Sequence, residues 1–160
     1  MHAFFARLER LLVPLLGALL AFITIGVFVQ VVLRYAFAKS FLWGEELSLF
    51  AFIWCVYLGA AICVWRRSHF AFDLFAERLK GRAAGVQTLV VDLCVLLVAM
   101  VMLHDGWAFS ELSRQRFSPA LGITLLVPTI VIPVSGALMV LAALAQVARD
   151  LRRIATGGSA

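Results

Sequence analysis

The chain has 160 residues, 64% of them hydrophobic and only 14% charged, with a formal net charge of +5. Soluble domains carry about 25% charged residues, and a water-soluble fold of this length has no interior large enough to hide so much apolar surface. An ordinary soluble domain is therefore excluded, and the informative features are apolar runs of about 20 residues, the length at which a helix crosses ~30 Å of hydrocarbon.

The first such run is Leu11 to Leu33, uncharged and preceded by Arg7 and Arg10. Ala36-Phe37-Ala38 behind it has the form of a secretory cleavage site, but the apolar core of a signal is only about 7–15 residues long. The longer run, closed by Arg34 and Tyr35, is expected to be a retained helix.

The stretch Phe41-Leu42-Trp43-Gly44-Glu45-Glu46-Leu47 then sets two acids beside a tryptophan and opens the second run, Leu47 to Trp65. Consecutive helical residues point about 100° apart, so Glu45 and Glu46 do not converge on one ligand. As acids in a first turn they suit the positive end of a helix. With the first two helices antiparallel, Arg34 comes level with the pair and is expected to meet one acid while the other faces outward. Along the same run Ala51, Cys55, Gly59 and Cys63 recur every four residues, a small-residue face suited to close helix packing.

Between the second and third runs, Phe72, Phe75, Ala76 and Leu79 share one helical face, while Asp73, Glu77 and Lys80 share the other. This predicts a short interfacial amphipathic helix at about 70–80, with Arg78, Lys80 and Arg82 near anionic lipid. The third run, Val86 to Leu103, contains Asp92, the one acid within a predicted span and so a functional suspect. Asp92 lies near the end of that span, within reach of Gln87, Thr88, Arg67 or Arg82, which favours a structural polar contact over an ion relay. A mixed aromatic loop is expected from His104 to Ala120, followed by the fourth run, Leu121 to Ala148, with Pro128 and Pro133 inside it.

Four spans put the N-terminus, the loop between the second and third helices and the C-terminus on one side. That side holds Arg7, Arg10, Arg66, Arg67, Arg78, Lys80, Arg82, Arg149, Arg152 and Arg153, against Arg34, Lys39, Arg114 and Arg116 on the other. Basic residues in short loops set orientation, so both termini are expected in the cytoplasm, with Trp43 and Trp107 at the outer interface and Trp65 at the inner one. The positive charge is then topological and does not call for nucleic acid. Cys55, Cys63 and Cys94 all fall within spans, and Cys55 and Cys63 are too far apart on one helix for a disulfide. His69 and His104 fall at opposite ends of the spans, which opposes haem held between two imidazoles. No catalytic, cofactor or metal residues are expected.

The order of these features resembles the small, Q-type (DctQ-like) membrane subunit of tripartite ATP-independent periplasmic (TRAP) transporters. The resemblance rests on Arg34-Tyr35 ending the first helix, Trp43-Gly44-Glu45-Glu46-Leu47 opening the second, Phe52-Ile53-Trp54, Gly59-Ala60, Arg66-Arg67, and His69 through Asp73. It departs at Ser68, where the family often has glycine or another small residue. The resemblance implies an all-α membrane protein, a single integral domain over 1–160, and a non-catalytic scaffold in a sodium-driven importer of an organic acid. It also implies a large M-type subunit moving in an elevator-like manner, a periplasmic substrate-binding protein as second partner, and the bacterial inner membrane as location. Arg34, Trp43, Glu45, Glu46, Gly59, His69, Asp73 and Asp92 are the expected interface or structural residues, with membrane lipid around them. The alternatives are a membrane anchor of a respiratory enzyme and the small subunit of a different tripartite carboxylate importer.

Overall fold

Hydrocarbon offers no hydrogen bonds to a backbone, so an apolar run must satisfy its own N–H and C=O groups, and a helix does so within one segment. A computed structural model of the chain describes residues 2–39, 41–66 and 82–155. Its elements are α1 (His2–Phe37), α2 (Leu42–Arg66), α3 (Arg82–Ser113), α4 (Leu126–Thr129) and α5 (Val131–Ala155). Four segments are long and apolar enough to cross a membrane: Arg7–Phe37, Leu42–Arg66, Leu89–Ser113 and Leu126–Leu151. The amphipathic segment 70–80, with His69 and Asp73, lies outside the described residues.

α1 ends where Ala38 turns left-handed at φ 49° and the Lys39 N–H returns to the Leu33 carbonyl at 3.2 Å. The left-handed residue that closes a helix in this way is ordinarily glycine. α2 follows at once, its first turn held by the Gly44 and Glu45 N–H groups on the Phe41 carbonyl.

α3 runs ten residues past the predicted end of the third span. Charge at His104, Asp105 and Glu111 marked the expected loop, yet those side chains are exposed. The buried residues Ala99, Gly106, Ser110 and Ser113 instead carry one packing face straight on. Conversely, residues 121–125, expected in the fourth span, belong to a turn in which Phe117 and Thr124 form an isolated antiparallel bridge.

The long helices pack in the order α1, α2, α5, α3, each against its neighbour in that order. The tightest approach is between α3 and α5. A Cβ added to Gly136 would stand 2.9 Å from the Leu103 nitrogen and 3.1 Å from its Cα; one added to Gly106 would stand 2.8 Å from Ile132 Cγ2 and 3.3 Å from the Pro133 nitrogen. Two backbones meet here because neither glycine has a side chain, the small-residue packing that helices use in lipid. Ala99, Met139 and Ala142 continue the seam, and with Ala61 and Val64 of α2 they form the core.

Pro128 and Pro133 fit because the carbonyls they strand find other donors. Pro133 cannot bond the Thr129 carbonyl, and the Ser110 hydroxyl of α3 donates to it at 3.0 Å. Pro128 cannot bond Thr124, whose carbonyl takes the Val127 N–H at 3.2 Å. At the far end of α2, the buried Gln146 amide donates to the Val64 carbonyl at 2.7 Å, supplying a donor where helix termini leave carbonyls unpaired. α1 is the outlier, with none of its most apolar window buried. Of the small-residue face expected on α2, Ala51 is buried and Cys63 exposed, and a Cβ on Gly59 would lie 3.9 Å from Leu16 Cδ1 of α1, an ordinary contact without the close backbone approach of the α3–α5 seam.

Gly136→Ala is expected to destabilise the detergent-solubilised protein by about 1–3 kcal/mol, because overpacking a close seam forces the backbones apart. Gly17→Ala, with nothing within 4 Å of the new methyl, is expected to be neutral or mildly stabilising. Thermal unfolding followed by size-exclusion chromatography separates the two, and equal behaviour would remove the seam's special role.

Candidate functional site

The polar groups that join different helices gather at the helix ends. At one end, the α3–α4 connection folds back through the Phe117–Thr124 bridge, with the Ser118 N–H on the Ile123 carbonyl at 2.8 Å and the Gly122 N–H on the Ser118 carbonyl at 3.0 Å. Gly122 takes φ +66°, which a side chain would strain. The turn therefore presents successive N–H groups, those of Ala120 and Leu121, to one side.

Glu46 of α2 fills that concavity. Its carboxylate accepts from the Ala120 N–H at 3.1 Å, from the Leu121 N–H at 3.1 Å and from the Ser118 hydroxyl. Leu121 also donates to the Ser118 oxygen at 3.1 Å, so hydroxyl and backbone brace one another. Consecutive backbone N–H groups in such a turn make a small anion-binding nest, and here the anion is an acid of the same chain. These charge-assisted bonds tie the start of α2 to the loop that leads into α5. Eight residues further along α2, the Trp54 indole adds a second tie, donating to the Val127 carbonyl of α4 at 3.2 Å.

The expected contact between Arg34 and the acid pair is corrected by this geometry. Arg34 is exposed, and among the described residues no carboxylate bonds it. Glu46 has its oxygens committed to three donors of the loop, while Glu45 is exposed, as expected of consecutive helical positions. α1 and α2 are joined at this end by neutral groups instead: the Gln30 amide donates to the buried Ser48 hydroxyl at 3.2 Å, and Gly44 lies against the same Gln30 side chain.

Trp43 is exposed and meets Phe41 edge to face at 5.8 Å, so neither ring enters the helix packing. Asp92 is buried in α3 and has an interaction partner. His104 bonds Asp105 beside it at 2.9 Å, both exposed. Among the described residues, no group of three or more His, Cys, Asp or Glu side chains is placed to hold a metal ion.

At the opposite end, Glu9 of α1 accepts from the Arg66 Nε of α2 at 2.8 Å. Arg149 of α5 lies 5.8 Å from the Trp65 ring centroid. Sequence reading missed Ser118, Gln146 and the Gly106–Gly136 pair. A lone glutamine in the apolar fourth run was a visible sign of a buried polar contact; Ser118 had none, because its role needs the turn to exist first.

Glu46→Gln is expected to speed amide hydrogen exchange at Ala120 and Leu121, since the neutral amide loses charge-assisted acceptance, whereas Glu45→Gln leaves both unchanged. Identical exchange in the two variants would show that the carboxylate does not hold the turn.

Comparison with known proteins follows the same residues. A family model described as "Tripartite ATP-independent periplasmic transporters, DctQ component" matches residues 23–153. The chain is 32% identical over 117 residues to the isethionate TRAP transporter permease protein DctMQ of Oleidesulfovibrio alaskensis, covering 72% of this chain and 18% of that one. It is 30% identical over 132 residues to the sialic acid TRAP transporter small permease protein SiaQ of Vibrio cholerae, covering 82% of this chain and 74% of the relative. The C4-dicarboxylate TRAP transporter small permease protein DctQ of the same organism is 30% identical over 101 residues, 63% of this chain and 42% of the relative. The chain thus spans less than two thirds of the length of two of these three relatives. Because the family match enters within α1 and continues through α2, α3 and α5, this multi-pass membrane protein belongs to the DctQ component family of tripartite ATP-independent periplasmic transporters, as a transport component and not an enzyme.

Proposed function

We propose that the chain is the non-transporting scaffold subunit of a sodium-driven TRAP importer of an organic acid, supporting a large M-type subunit that carries the substrate in an elevator-like motion. The observation that carries this reading is the helix order α1, α2, α5, α3 with α1 left uncovered. Helices in such an order offer a broad lateral surface to a larger membrane partner. The name DctMQ of one relative joins both component letters, which supports a partnership of this kind. Relatives named for isethionate, C4-dicarboxylate and sialic acid support an organic anion as cargo, with a carboxylate as the preferred class.

The orientation follows from the basic residues. Arg7, Arg10, Arg66 and Arg149 cluster at the end away from Glu46, so both termini are read as cytoplasmic in the bacterial inner membrane. The Glu46-held turn then faces the periplasm, where the exposed Glu45 and Trp43 are available to a periplasmic substrate-binding protein.

Expressed with a large membrane subunit from the same genome and extracted in mild detergent, the chain is expected to co-elute with it. A chain that runs alone would overturn the scaffold reading. In intact cells, a cysteine at Glu45 is expected to react with a membrane-impermeant maleimide while one at Arg10 does not; the reverse pattern would invert the topology without touching the partnership.

A further inference from the structure

Past the predicted end of the third span, α3 carries two ionisable side chains, His104 and Asp105, on its lateral surface. The His104 Nδ1 lies 2.9 Å from an Asp105 carboxylate oxygen, and the two side chains are 87% and 72% exposed. Their depth follows from the packing register. Gly136 stands against Leu103 and Gly106 against Pro133, so the pair is level with Val134 and Ser135 of α5. Asp105 precedes the Ser113 end of the span Leu89–Ser113 by about eight residues or 12 Å, and Val134 lies equally far past the Leu126 start of the span Leu126–Leu151. With the 25-residue span of α3 centred on ~30 Å of hydrocarbon, both groups lie roughly 8–10 Å inside its outer edge. Glu111 and Arg114, paired at 3.3 Å, stand instead at the end of the span, where headgroup water solvates them.

Acyl chains cannot replace the hydration of such groups, so ionisable residues at this depth face a protein surface or an aqueous cavity. The inner side of α3 is already taken. Gly106, Ser110 and Ser113 are buried there, and His104, Ala108 and Glu111, each two residues earlier, point about 200° away. α3 also ends the row of long helices, so this face looks outward from the bundle. Neither side chain has the reach by which lysine and arginine carry a charge to the headgroups. Their mutual bond uses one ring nitrogen and one carboxylate oxygen; the second oxygen and the imidazole Nε2 have no bond among the described residues. A soluble partner does not enter at this depth. A second copy would set Asp105 and Glu111 against the same two acids, with Arg114 already paired, whereas a different membrane chain is able to supply the missing donor. We propose, on the scaffold reading above, that this face of α3 is an intramembrane interface with the large M-type subunit, one of whose helices offers a basic or hydroxyl-bearing side chain to the Asp105 carboxylate.

The test uses the full chain co-expressed with the large subunit of its genome, with a benzophenone side chain introduced at Ala108. Irradiation is expected to join the chain to the large subunit. Asp105→Leu is expected to leave thermal unfolding of the isolated chain unchanged, because the side chain is exposed there, and to lower the fraction co-eluting with the large subunit about threefold, the effect of one interhelical polar contact in a membrane. An adduct with a second copy, an adduct with lipid alone, unchanged co-elution of Asp105→Leu, or a destabilised isolated variant would each overturn the interface. Reaction of Ala108→Cys with a membrane-impermeant maleimide in intact cells would overturn it too, by assigning the face to a water-filled path. An unmodified chain that co-elutes while Ala108 forms no adduct with the large subunit removes this face alone; one that does not co-elute removes the scaffold reading with it.

Discussion

The backbone contact between α3 and α5 at Gly106 and Gly136 is the constraint from which the rest of the fold follows. In lipid, a leucine gains little by moving from acyl chains to another helix, so close van der Waals fit and polar ties decide which helices meet. Gly136 lets the Leu103 backbone approach closely, and Gly106 admits Ile132 and Pro133. Once those two helices are in register, the Ser110 hydroxyl lies opposite the Thr129 carbonyl that Pro133 leaves without its helical donor. The proline is tolerated because of the neighbour, and the neighbour is there because of the glycines.

The remaining helices attach to this pair by single polar contacts at their ends and by the alanine-rich core between them. Gln146 reaches from α5 to the last carbonyls of α2, and leaving such a buried amide unpaired would cost about 1–3 kcal/mol. Glu46 and Trp54 hold the other half of α2 to the turn and to α4. α1 is held by Gln30 to Ser48 at one end and Glu9 to Arg66 at the other. The second of these is partly exposed and contributes under about 1 kcal/mol, consistent with α1 being the helix least enclosed by its own chain.

This gradient, from a close-packed α3–α5 pair to a loosely attached α1, gives physical content to the scaffold reading. A support must hold its own shape while leaving apolar surface for something else, and in this chain the two requirements fall on different helices. The ionisable groups follow the same division: Asp92 is enclosed within the packed helices, whereas the arginines of the opposite end from Glu46 border open space.

Composition and run length determined the class of the protein. Four helices, their approximate spans and the residues opening α2 were legible because a membrane span is a local property, set by about 20 consecutive residues. The order of short motifs from Arg34 to Asp73 carried the family, since it too is read along the chain. Pairing was not legible. The sequence shows Glu46 near Arg34 in number, but its partners are 72 to 75 residues away, in a turn whose N–H groups converge only after α3 and α5 have closed. For the same reason Gly59, conspicuous in a regular stripe, packs loosely, whereas Gly106, beside charged residues that seemed to mark a loop, sits in the closest contact. Periodicity reveals which residues share a face; only the tertiary structure decided which faces meet, because in a membrane that choice depends on backbone approach and on polar partners distant in sequence, not on apolar character that every face of these helices already has.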